Sequence, residues 1–356
     1  MAVTESIDAR MNYDKSGMLE TISRFPDQIK DAVALAATIE RLPFLKVDNI
    51  IISGMGGSAI SGDLVESLFR DKLDVPLMVN REPDLPKWAN KDTLAMCLSY
   101  SGNTEETLSA FKAASQRKCK IISISTGGKL EELSRARDGV VFLKIPSGMQ
   151  PRAATPYLLF PTIMLLHKAG VVKANLDADL DETIQVAKEF VAANNPEVPE
   201  ASNPAKQLAR RLSGAIPQIY GWGPYTPVAT RWRQQFNENS KIIARADEVS
   251  ECNHNDLVGW SQSPEFTKHF TYILFRDRDN ESISLSTRLD FMKSLGQNVA
   301  KDVIEVAPKG KSRLARMMHL MCQGDFASNY LALLRGVDPS PVDIVTELKR
   351  RLAEKR

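Results

Sequence analysis

Asn49-Ile50-Ile51-Ile52-Ser53-Gly54-Met55-Gly56-Gly57-Ser58 joins a β-branched run to a glycine cluster, with a serine where a helix is expected to start. The run predicts a buried strand. The glycines predict a tight turn, because a residue without a Cβ reaches positive φ and lets a ligand approach the backbone. Free amides in the first turn of the following helix would point at that ligand, and a phosphate or sugar phosphate suits them. A Walker loop is excluded, since Gly57 rather than a lysine precedes Ser58. Gly54, Gly56 and Ala59 meet the dinucleotide fingerprint in outline, with Glu82 loosely where a ribose partner would sit. On this stretch alone a nicotinamide or flavin site stays open, as does an ordinary turn between strand and helix.

A second segment shifts the balance. Thr93-Leu94-Ala95-Met96-Cys97-Leu98 reads as another buried strand and runs directly into Ser99-Tyr100-Ser101-Gly102-Asn103-Thr104-Glu105-Glu106-Thr107. Here hydroxyls crowd the strand end. Parallel strands place their carboxyl ends on one rim of a sheet, so Ser58 can converge with Ser99, Ser101 and Thr104 on one anion. Capping of the next helix by Asn103, answered by Glu106, is the simpler reading, but it leaves Ser99 and Ser101 without a role.

These two motifs together resemble the sugar isomerase domain of the bifunctional phosphoglucose/phosphomannose isomerases. The resemblance continues through Pro151-Arg152-Ala153, Phe236-Asn237-Glu238-Asn239-Ser240-Lys241, Cys252-Asn253-His254-Asn255-Asp256 and Glu347-Leu348-Lys349. It implies an α/β fold of two tandem sugar isomerase domains, each a mainly parallel five-stranded sheet flanked by helices. It also implies an aldose–ketose isomerase that needs neither cofactor nor metal, interconverting glucose 6-phosphate or mannose 6-phosphate with fructose 6-phosphate through a cis-enediol. Gly57, Ser58, Ser99, Ser101 and Thr104 would hold the phosphate. Glu238 would carry the proton between C1 and C2, Arg152 would bind substrate and steady the enediolate, and His254, with Lys349, would open the ring. In that family the histidine can come from the partner subunit, which implies a homodimer with a shared active site.

The residues carry part of this unaided. Glu238 lies in an otherwise helical run, where a solvated glutamate is the ordinary expectation, and a carboxylate raised toward neutrality by burial can pick up and return one proton. Among four histidines only His254 sits between asparagines in a polar loop. Arg152 follows Pro151 after the fifth strand, where a fixed guanidinium can face developing negative charge. Lys349, beside Arg350 and Arg351, reads as a solvated basic face, and only the resemblance raises it.

Composition sets limits that agree. The 356 residues are 43% hydrophobic, enough for one large or two ordinary domains. With 46 Lys and Arg against 44 Asp and Glu, the formal charge of +2 offers no basic field for nucleic acid or an anionic membrane. Cys97, Cys119, Cys252 and Cys322 show no paired metal spacing, and the opening residues lack the basic and apolar parts of a signal peptide. A reducing, cytoplasmic setting is expected. Cys252 stands where an apolar residue would be expected beside the Asn-His-Asn motif, and exposure there would make it oxidisable.

Periodicity suggests a helical extension over 1–45, a first domain over 46–172, a connection over 173–200 and a second domain over 201–356 ending in a helix. Strands are expected at 49–53, 75–79, 94–98, 120–125 and 139–143, then at 215–220, 240–244, 271–275 and 302–306. Gly221-Trp222-Gly223-Pro224 repeats the first glycine turn without its serine, and Pro224 removes a donor, so this copy is expected to keep the scaffold and lose the anion site. Residues 313–334 are expected to form a helix whose Leu314, Met317, Met318, Met321 and Cys322 are packing residues. Two rivals are weighed. An aminosugar-forming synthase would add an amidotransferase domain with a nucleophilic cysteine, and no cysteine precedes Cys97; a sugar-phosphate-sensing regulator would add a basic DNA-binding helix, which is not evident.

Overall fold

The computed structural model describes residues 5–44 and 46–354. Five strands, β1 (Asn49–Ser53), β2 (Leu77–Asn80), β3 (Thr93–Leu98), β4 (Lys120–Ser125) and β5 (Val140–Lys144), pair in parallel in the order β2-β1-β3-β4-β5. The strand expected from residue 75 begins at Leu77, because Pro76 has no amide to give the ladder. The order reverses between β1 and β3, so the loops leaving these strands part and open a crevice at their carboxyl ends. Register sets Ser53 opposite Cys97, so the turn at Gly54–Ser58 and the loop at Ser99–Thr104 start side by side at that crevice. Both faces of the sheet are apolar: Ile50 and Ile52 join the main core, while Ile51, Ala95 and Ile121 pack with Phe111 and Leu130.

The second sheet has four strands, β6 (Ile216–Gly221), β7 (Arg245–Glu248), β8 (Phe270–Phe275) and β9 (Asp302–Val306), all parallel in the order β7-β6-β8-β9. The expected fifth strand is absent among the described residues, because after β9 the chain enters the helix Arg313–Leu334. The strand expected at 240–244 falls instead at 245–248. Ser240 turns inward to donate to the Ser328 carbonyl, and Lys241 takes φ 56°, so the backbone is not extended until it has passed them.

The rim of this second sheet is filled by its own side chains. The Trp222 indole donates to the Phe275 carbonyl at 2.9 Å, and the Tyr225 hydroxyl and Arg316 both engage Asp277.

The helix Arg313–Leu334 is buried on all sides, with Leu320 and Phe326 as covered as Met317 and Met318, so the expected packing residues are part of an all-round core. It packs on the helices Leu176–Asn194, Pro204–Leu212 and Thr226–Glu238. Gly324 permits the last of these contacts: a Cβ there would lie 2.3 Å from Nε1 of Trp232, whose indole donates to the Leu320 carbonyl at 2.7 Å.

Toward the N-terminus, the helix Phe25–Ala37 buries Phe25, Ile29, Ala32 and Ala36 at helical spacing and lies on the helix Thr155–Lys168. The helix Gly57–Phe69 packs on Thr226–Glu238, which joins the first anion loop to the helix that carries Glu238. Among the described residues no helix is long and apolar enough to cross a membrane.

Candidate active site

The glycine turn is shaped for close approach. Gly56 has φ 53° with open space where a side chain would stand, and a Cβ on Gly57 would meet the Pro151 carbonyl oxygen at 3.2 Å. The loop therefore abuts the short helix Pro151–Ala154, which carries Arg152. Ser58 is buried in the first turn of the helix Gly57–Phe69, where the positive end of the helix dipole favours an anion, although its own amide donates to the Met55 carbonyl at 3.0 Å.

Across the crevice, the fully buried Ser99 donates its hydroxyl to Thr104 Oγ1 at 2.9 Å, while Ser101 is exposed and accepts from the Asn103 amide at 3.2 Å. Gly102, at φ 69°, lies against the next loop so closely that a Cβ would stand 1.7 Å from the Gly127 carbonyl oxygen. Asn103 does not cap its own helix; Thr104 is the capping position, and Asn103 Oδ1 accepts from the Lys129 amide instead. The hydroxyl loop is thus braced by its neighbour rather than by its helix. The structure brings Ser58 and the Ser99, Ser101 and Thr104 group to the same crevice.

Arg152 is held by several partners at once. It is 4% exposed, and its guanidinium reaches Asn239 Oδ1 at 2.6 Å, the Pro339 and Ser340 carbonyls at 2.8 Å each, and Glu238 Oε2 at 3.4 Å. Burial pushes its pKa below the ordinary value, and the Glu238 carboxylate opposes that. Asn239 is itself held by the Ser328 hydroxyl at 3.0 Å. Behind it, Arg231 donates to the Arg152 carbonyl and pairs with the buried Asp325, which also accepts from Gln235 at 2.7 Å.

Glu238 stands at the end of its helix with 41% of its side chain exposed, facing a cleft of about 590 Å³ lined also by Lys241, Asp338, Pro341 and Asp343. This position departs from the buried carboxylate expected from the sequence. The helix ends here, so the far side of Glu238 opens onto the cleft.

His254 and Lys349 are both exposed, and among the described residues neither side chain makes a hydrogen bond or ion pair with Glu238 or Arg152. His254 lies in the turn between the short helices Val249–Cys252 and Asp256–Gln262. Lys349 lies on Asp343–Glu354, a helix that starts at the cleft and leaves Ile344, Leu348 and Leu352 exposed along one side. Within one chain the structure joins the glycine turn to the Arg152 helix and Arg152 to Glu238, and among the described residues no bond ties His254 or Lys349 to Arg152 or Glu238. Cys252 is buried at 3%, and burial pushes its thiol up to about 12, which removes it from ready oxidation.

Three participants were not singled out as site residues by sequence: Lys241, Arg231 and Asp325. A lysine inside a matched motif and an aspartate inside an otherwise apolar helix were the available signals.

Comparison with known proteins follows the same line. The family described as bacterial phospho-glucose isomerase C-terminal SIS domain matches residues 201–352. The chain is 40% identical over 339 residues to a bifunctional phosphoglucose/phosphomannose isomerase of Caldicellulosiruptor bescii, covering 95% of this chain and 99% of that one. It is 33% identical over 310 residues to the protein of that name in Thermoplasma volcanium, covering 86% and 92%. A solved glucose-6-phosphate isomerase-like protein from Thermus thermophilus shares the fold at a TM-score of 0.63 and 19% identity, covering 96% of this chain and 100% of that one.

Proposed function

This chain belongs to the bifunctional phosphoglucose/phosphomannose isomerase family, and from that premise we propose that it interconverts glucose 6-phosphate and mannose 6-phosphate with fructose 6-phosphate. The observation that carries the reading is the Arg152–Glu238 pair, a locked guanidinium behind a half-exposed carboxylate that lines a cleft of sugar size.

The phosphate binds at Ser58, Ser99, Ser101 and Thr104, with the Gly57 amide and the helix N-terminus completing the set. The sugar then extends toward Arg152, which the contact between Gly57 and Pro151 supports. His254 protonates the ring oxygen as the C1–O5 bond breaks, assisted by Lys349, and the C1 hydroxyl gives its proton to solvent, which leaves the open chain with a carbonyl at C1. Glu238 removes the C2 proton to give the enediolate and returns it to C1, while the proton of the C2 hydroxyl passes to the C1 oxygen. Arg152 faces the developing oxygen charge. Its forked contacts fix the guanidinium before the reaction, so little reorganisation is needed as charge appears.

Glucose and mannose phosphates differ only at C2 and give the same enediol, so a cleft that lets C2–C3 rotate serves both. His254 belongs to the site of a second copy in this scheme, which fits its making no bond to Glu238 within one chain. The test is fructose 6-phosphate formation by purified protein with excess chelator, from each aldose phosphate separately. Turnover of both supports the full reading, turnover of one narrows the substrate, and turnover of neither overturns it in favour of a sugar-phosphate-binding regulator.

A further inference from the structure

Lys241 lines the same cleft as Glu238 and has no assigned part in the chemistry above. Its backbone takes φ 56°, a conformation few residues other than glycine adopt and one that a folded chain keeps only when its surroundings enforce it. The result is a side chain folded back over the helix end. Its ammonium donates to the carbonyl of Glu238 and, at 2.9 Å, to the carbonyl of Pro339. The Pro339 oxygen also receives Arg152 Nη2 at 2.8 Å, so two cationic donors share one acceptor.

A helix-capping lysine is the plain alternative, since cations commonly bond the last carbonyls of a helix. Capping accounts for the bond to Glu238 and not for the second bond that sets Lys241 beside Arg152. Like charges so close repel, and an anion between them and the cleft relieves that repulsion. An ammonium has three donors; two are used, and among the described residues the third makes no bond and can serve a ligand.

We propose that Lys241 is a catalytic residue of this site, donating with Arg152 to the oxygen that becomes negative as the enediolate forms. The inference rests on the isomerase reading. No proton need leave the lysine: it enters and leaves the step as an ammonium, and its hydrogen bond strengthens as charge builds on the oxygen. The charged groups facing it are Arg152 from the Pro151–Ala154 helix, Glu238 from the preceding helix, Asp338 from the segment before the C-terminal helix, and Asp343 from that helix's first turn. Burial, then Arg152, draws its pKa down to about 8, against the opposing carboxylates. The cation is therefore present at neutral pH and lost as pH rises through 8.

The test compares wild type, Lys241→Met and Lys241→Arg in two ways. Turnover of glucose 6-phosphate is followed from pH 6 to 9.5. Binding is titrated with inorganic phosphate and with a five-carbon aldonate phosphate, whose carboxylate puts negative charge where the enediolate oxygen would be. The expected results are an alkaline fall in wild-type kcat near pH 8, a loss of about 100-fold in kcat for Lys241→Met with KM changed far less, and a fall displaced to higher pH in Lys241→Arg. Lys241→Met also binds the aldonate about 10-fold more weakly or worse, with phosphate affinity unchanged. A kcat within threefold of wild type in Lys241→Met, unchanged aldonate binding, or an alkaline limb that persists in that variant overturns the proposal. Because wild type is assayed alongside, the absence of an alkaline limb there does so even if the variants do not fold. If wild type turns over neither sugar, yet Lys241→Met still loses aldonate affinity, the isomerase reading fails and the anion contact stands.

Discussion

Arg231 and Asp325 meet at 3.0 Å with both side chains almost wholly out of water. Burial holds the Asp325 carboxyl above the usual carboxylate range, and Arg231 opposes that shift. The pair sits behind the active site, since Arg231 also donates to the Arg152 carbonyl. Asp325→Ala leaves a buried guanidinium without its counter-charge, so a loss of about 3–5 kcal/mol in unfolding free energy is expected. Asp325→Asn keeps one of the two acceptor oxygens and is expected to lose less. Urea unfolding of both variants checks the order; equal stability of Asp325→Ala and wild type would show that the pair does not hold the fold.

Glu238→Gln keeps the size and polarity of the side chain and removes the proposed base. The expected outcome is a fall in kcat of about 10²–10⁴-fold with sugar-phosphate affinity retained. Arg152→Lys keeps a charge but not the planar fork that reaches Asn239, Pro339, Ser340 and Glu238. It is expected to lose activity as well, against the conservative label usually given to that exchange. Initial rates and direct titration of glucose 6-phosphate separate the two effects.

The proposal that His254 serves the site of a second copy predicts complementation. Glu238→Gln and His254→Ala, each inactive alone, are refolded together so that mixed dimers form. If a partner supplies the histidine, each mixed dimer holds one intact site, and random mixing restores about a quarter of wild-type activity. No recovery from a mixture shown to exchange subunits would put His254 in the site of its own chain or outside any site.

The strands were legible because apolar β-branched runs such as Asn49–Ser53 and Lys120–Ser125 leave few alternatives, and the turn after the first strand because Gly56 reaches a positive φ that a glycine cluster announces. The second sheet's missing strand was not legible, since it depends on where the long helix Arg313–Leu334 packs. Glu238 and Arg152 could be named from the resemblance, but not their mutual distance, which depends on two segments 86 residues apart. Lys241 was hidden by its chemistry: a lysine after a helix reads as solvated until the positive φ is seen. Asp325 was hidden among Cys322, Phe326 and Ala327, where one charge in an apolar run needs a partner that sequence does not identify.

The hydroxyl loop depends on the meeting of Gly102 with Gly127. Gly102→Ala forces a Cβ within 1.7 Å of a carbonyl oxygen at a φ of 69° that alanine disfavours. The loop must shift, carrying Ser99, Ser101 and Thr104 with it, so a weaker inorganic phosphate inhibition constant and a raised KM are expected. The stability cost is about 3 kcal/mol. Gly56→Ala tests the contrast: it meets no atom within 4 Å, so its cost comes from backbone conformation alone.

His319 predicts the acid limit of stability. It is 6% exposed, its Nδ1 has no hydrogen-bond partner, and Phe190 presents its ring edge-on at 5.4 Å. Burial, with Lys309 adding repulsion, lowers its pKa to about 4. Between that value and the ordinary 6.5 the unfolded chain binds a proton that the folded chain refuses, so stability falls as pH drops through this window and is unaffected by this group above it. The loss between pH 7 and pH 5 is about 2 kcal/mol. His319→Leu removes the titrating group while keeping apolar bulk beside Phe190, so its urea midpoint is expected to fall less over the same interval. A variant that loses as much between pH 7 and pH 5 as wild type would assign the acid sensitivity to other groups.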